Sequence, residues 1–109
     1  MKASDFDWKG GVVTYWSMEV DERRPLEDQP DNLTEDLVQV EYGPRVILDV
    51  GWYPELNVKG RFTVMIVQDK QWDDDTVVEL EAPTMSELRA RMLEAIELAR
   101  ELRRRLEAS

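Results

Sequence analysis

Between Val12 and Ala82 the chain alternates apolar and polar positions in short runs, and from Leu88 to Leu106 the apolar positions recur at steps of three and four. The first pattern predicts β-strands with one buried face, and the second an amphipathic α-helix. The run Val12 to Val20 follows Gly10-Gly11 and is rich in β-branched and aromatic residues, with Val12, Trp16, Met18 and Val20 expected inward. Leu37 to Tyr42 and Arg45 to Tyr53 flank Gly43-Pro44, a spacing suited to a tight antiparallel hairpin. In Arg61 to Gln68, Phe62, Val64 and Ile66 alternate with Arg61, Thr63 and Met65. In Thr76 to Ala82, Val78 and Leu80 oppose Glu79 and Glu81, so one sheet face reads as apolar and the other as mixed.

Thr84-Met85-Ser86-Glu87 is a capping box that opens a helix, and no Gly or Pro interrupts the chain from there to about Ala108. Leu88, Met92, Ile96, Ala99, Leu102 and Leu106 form its apolar stripe, and Arg103-Arg104-Arg105 suit the negative end of the helix dipole. The predicted fold class is α+β: an antiparallel four- to five-stranded sheet with one long C-terminal helix packed on one face. Residues 1–109 read as a single domain, with an N-terminal segment 1–11, the sheet over 12–82 and the helix over 84–108. A helix of that length spans roughly 36 Å. Strands of this length span roughly 20–25 Å, so the last helical turns are expected to overhang the sheet, open to solvent or to a second copy.

Two stretches lack this periodicity, and both are acidic. Residues 21–36 carry seven acidic and two basic residues with two prolines, which predicts a long exposed loop with a short helical turn near Leu33 to Leu37. Asp69 to Asp75 form the second, with Trp72 beside Asp73, Asp74 and Asp75. Overall there are 24 acidic and 14 basic residues, a net charge of −10. Residues 1–83 hold 19 acidic and 8 basic residues, a net of −11, while residues 84–109 hold 5 and 6. Such a field repels nucleic acid and attracts basic surfaces, although solubility alone accounts for acidic charge equally well.

The charge also bears on chemistry. The chain has no His and no Cys, which removes triad catalysis, thiol chemistry and disulfides. The three consecutive aspartates lack the alternating ligands and turn glycine of a calcium loop, so they read as a solvated turn; no metal or cofactor is expected. Asp49, inside an apolar strand, is the best candidate for an acid or base, but pairing with Arg45 or Arg61 is the more ordinary reading. The chain therefore reads as non-enzymatic. Trp16, Trp52 and Phe62 read as core, whereas Trp72 in its loop, and Phe6 and Trp8 among aspartates, have the composition of a binding hot spot. Trp72 folding back onto the sheet edge is the competing reading. Met1 to Trp8 lacks the apolar core of a secretion signal, no apolar run approaches the length of a membrane span, and the missing Cys suits a reducing compartment. A cytoplasmic location is expected.

The run Leu48 to Glu55, L-D-V-G-W-Y-P-E, with Gly60-Arg61-Phe62, Trp72-Asp73 and the upstream Leu33 to Tyr42, resembles small bacterial immunity proteins found beside polymorphic toxins. It is similar to the immunity protein 53 type or an uncharacterised sister group. The resemblance implies an α+β protein that binds and neutralises a cognate, basic toxin inside the producing cell. The expected contacts are Trp72, Asp73, Asp74 and Asp75, with Glu27, Asp28, Asp31, Glu35 and Asp36 as a second edge. Two alternatives stand beside it: an acidic nucleic-acid mimic that blocks a defence protein, and an oligomeric scaffold module that pairs with its copy through the C-terminal helix.

Overall fold

A computed structural model of the chain describes residues 1–69 and 76–109. Among these, five strands form one sheet: β1 (Val12–Trp16), β2 (Val38–Tyr42), β3 (Val46–Tyr53), β4 (Arg61–Gln68) and β5 (Thr76–Ala82). Each strand pairs antiparallel with its sequence neighbours, in the order β1-β2-β3-β4-β5. The helix α1 (Met85–Ala108) follows and packs across one face of β2–β5. The α+β class predicted from periodicity is the fold observed.

The core lies between that face and α1. Val38, Val40, Tyr42, Val46, Leu48, Val50, Trp52, Phe62, Val64 and Ile66 are each no more than 1% exposed. Trp52 and Phe62 are cross-strand partners whose rings meet edge to face at 4.8 Å. Leu88, Met92, Ala95, Ile96 and Ala99 supply the buried stripe of α1. The Thr84 hydroxyl accepts the Glu87 N–H at 3.2 Å, as the capping sequence predicts. Gly43, with φ of +71°, makes the β2–β3 turn in a backbone region that side chains disfavour.

Several local expectations are corrected. The first strand ends at Trp16 rather than Val20, and a register shift between Val13 and Tyr15 turns Val12 outward, while Trp16, Met18 and Val20 face the core as expected. Val12 is therefore 63% exposed, while Val13 and Trp16 pack on the core. Phe6 and Trp8 are not surface anchors. Phe6 is buried, its ring lies 5.1 Å from Trp8, and Trp8 in turn meets Trp16 edge-on at 6.3 Å. The overhang of α1 is smaller than length alone suggests. Leu102 and Leu106 pack on the core, and the Arg103 guanidinium donates to the Gly10 carbonyl at 3.3 Å.

The acidic loop is ordered. The helical turn expected near Leu33 to Leu37 lies earlier, as two 3-10 turns at Leu26–Asp28 and Pro30–Asn32. Leu33 and Leu37 are instead fully buried anchors. Between them and the strand, Gln29 acts as an internal staple. Its amide oxygen accepts the Asp21 N–H at 2.8 Å, and its amide nitrogen donates to the Asp21 carbonyl at 2.9 Å and the Arg24 carbonyl at 3.2 Å. A buried side-chain amide satisfied in this way replaces the backbone ladder that the loop lacks.

Candidate functional site: the open face of the sheet

The strands' alternation sends the opposite set of side chains to the face that α1 leaves uncovered. Register then assembles them into rows. Tyr15, Gln39, Asp49, Met65 and Glu79 are successive partners from β1 to β5; Gly51, Thr63 and Glu81 form the next row, and Tyr53 pairs with Arg61. A hollow of about 620 Å³ opens over these rows, lined by Asp36, Gln39, Asp49, Tyr53, Arg61, Thr63, Met65, Glu79 and Glu81. Two shallower hollows continue it toward β1. One includes Tyr15, Glu19, Asp31, Asp36 and Glu55, and the other Tyr15, Asp36, Gln39 and Glu41.

The loop reaches this face through Gly51. The Trp52 N–H donates to the Thr34 carbonyl at 2.8 Å and the Leu37 N–H to the Val50 carbonyl at 3.0 Å, so residues 35 and 36 cross above Gly51. A Cβ at Gly51 would lie 2.0 Å from the Glu35 carbonyl oxygen, which is why this strand position needs glycine. The crossing carries Asp36 to the rim shared by all three hollows.

Asp49 sits at the floor, 4% exposed. Neither arginine expected to pair with it does so. Arg45 is held by Asp69, at 2.6 and 3.1 Å, and Arg61 by Glu81 at 2.9 Å. Among the described residues Asp49 accepts one hydrogen bond, from the Gln39 amide at 3.3 Å. Burial pushes its carboxyl up to about 6, with the Gln39 bond opposing and the Asp36 charge adding. Burial, with Asp49 the first of several neighbouring carboxylates, likewise pushes the Tyr53 hydroxyl up to about 12.

Of the residues singled out from sequence, Asp31 and Asp36 line these hollows, and Glu35 supplies the backbone that crosses Gly51. Glu27 and Asp28 lie on the first 3-10 turn, exposed and away from the three hollows. Trp72, Asp73, Asp74 and Asp75 lie outside the described residues. Sequence reasoning missed Glu19, Glu41, Glu55, Glu79 and Glu81 as members of one surface. Their signal was present in the polar positions of the strands, but only register shows that they meet.

No protein family, curated protein or solved structure matches the chain. Among the described residues, eight carboxylates (Glu19, Asp31, Asp36, Glu41, Asp49, Glu55, Glu79 and Glu81) line the three hollows against one basic side chain, Arg61. No group of three described carboxylates converges closely enough to hold a metal ion. Spread charges over an open sheet face, with Tyr15, Tyr53 and Met65 among them, suit an extended basic surface.

Proposed function

We propose that this protein is a non-enzymatic inhibitor of the bacterial immunity type, which neutralises a basic cognate toxin by docking on its open sheet face. The observation that supports it is the one-sided charge: among the described residues, eight carboxylates and one arginine line the hollows of a face that no described element covers. The helix side differs. There the arginines are paired in place, Arg91 with Glu94, Arg100 with Glu97, and Arg103 with Glu107. An acidic face steers a basic partner toward itself, and the aromatic rings among its charges slow dissociation. Among the described residues no helix is long and apolar enough to cross a membrane. Action in the cytoplasm of the producing cell belongs to the same proposal, as does a contribution from Trp72 and Asp73 to Asp75.

Co-expression with the product of the neighbouring gene in a bacterial host tests this reading. Growth inhibition by that product, relieved by this protein and restored by charge reversal at Asp36 and Glu79, is the expected result. Relief that ignores these reversals would contradict it. A second reading, a nucleic-acid mimic that blocks a defence protein, draws support from the arrangement of carboxylates in rows rather than only in loops. Duplex DNA would then compete for the partner's site, whereas a toxin that acts on other substrates would bind equally with DNA present.

A further inference from the structure

We infer that the hollow above Asp49 receives the guanidinium of an arginine side chain from the protein that docks on the open face. This rests on the docking reading and names the group that the face would capture first. Three features converge on it. Asp49 is 4% exposed, and among the described residues its one hydrogen-bond donor is the neutral Gln39 amide, at a long 3.3 Å. Among the described residues no cation reaches it, because Arg45 and Arg61 are engaged by Asp69 and Glu81. A carboxylate removed from water without a cation is costly to the fold, and a matching cation removes that cost. Burial raises its carboxyl only to about 6, so it is charged at neutral pH and able to bind one.

The rows supply the remaining acceptors. Asp49, Met65 and Glu79 are successive partners on β3, β4 and β5. At the usual strand spacing this sets the Asp49 and Glu79 backbones about 10 Å apart, with the apolar Met65 between them. A planar cation lying over Met65 meets a carboxylate on either side, with Asp36 at the rim and the Tyr53 ring in the lining. Guanidinium fits such a place better than ammonium. It sheds water more readily, stacks on aromatic rings and presents donors in a fork.

The test uses the intact protein and free N-acetyl-arginine methylamide, followed by amide chemical shifts of isotope-labelled protein. Saturable shifts at Asp49, Gly51 and Met65 are expected. The neutral isostere N-acetyl-citrulline methylamide and the lysine derivative should each bind more weakly, the former by about tenfold or more. Asp49→Asn should weaken arginine binding by a similar factor while remaining folded, since it removes a buried charge. Equal binding of citrulline, equal binding of lysine, unsaturable shifts or indifference to Asp49→Asn would each overturn the inference. If free arginine fails while reversal at Asp36 and Glu79 still slows partner association, this inference falls and the docking reading stands. If arginine binds and association ignores those reversals, the docking reading falls.

Discussion

Asp49 is held in the folded state at a cost in stability. Its carboxyl titrates near 6 in the fold against an ordinary 3.8, because burial disfavours the charged form. Between those values the folded protein keeps a proton that the unfolded chain has released. Stability therefore falls as pH rises through this window, and the penalty is complete above it. The full difference corresponds to a cost on the order of 2–3 kcal/mol. Asp49→Asn should then stabilise the protein by roughly 1–3 kcal/mol at about pH 8, and by clearly less at about pH 5. Denaturant unfolding of both proteins at the two pH values checks this. A gain that does not change with pH would show that the carboxyl is not the source.

At the scale of elements, the site depends on one crossing. Residues 35 and 36 pass over β3 only because Gly51 has no side chain, and the contact of 2.0 Å expected for a Cβ leaves no room for alanine. Gly51→Ala should cost on the order of 2 kcal/mol or more, read as a lower denaturant midpoint, and should displace Asp36 from the hollow. Thr84→Ala, at the start of α1, removes one cap bond and should cost about 1 kcal/mol while leaving the Gly51 crossing intact. A loss of partner binding for Gly51→Ala but not for Thr84→Ala would separate site geometry from general stability.

The same elements show what periodicity could reveal. Alternation marked β2 to β5 and the capping sequence marked the start of α1, because each is a local pattern. The bulge near Thr14 was hidden, since apolar residues at both Val12 and Val13 fit either parity. The order of the acidic loop was hidden too. Composition showed prolines and charge, but the bonds made by Gln29 join residues up to eight positions apart in a non-repeating backbone. The candidate site was partly legible: Asp31, Asp36 and Asp49 stood out, yet their union with Glu79 and Glu81 depends on register across four strands. Pairing of Asp49 with an arginine failed as an expectation because other carboxylates hold both arginines more directly.

For the whole molecule, the net charge of −10 has a direction. One face of the sheet is closed by a helix on which Arg91, Arg100 and Arg103 pair with glutamates of the same helix, and the other presents carboxylates with one basic neighbour, Arg61, among the described residues of its hollows. Such polarity predicts an association rate that falls steeply with salt, because screening shortens the reach of the field. Whether the open face is the docking surface is read from the salt dependence of association with the neighbouring gene's product, measured by stopped flow. Three proteins are compared: the natural chain, a variant with Asp36→Lys and Glu79→Lys, and a variant with Glu94→Lys and Glu97→Lys on the helix. Slower association with a flatter salt dependence is expected for the open-face variant alone. Equal effects from both variants, or none from the open-face variant, would contradict it.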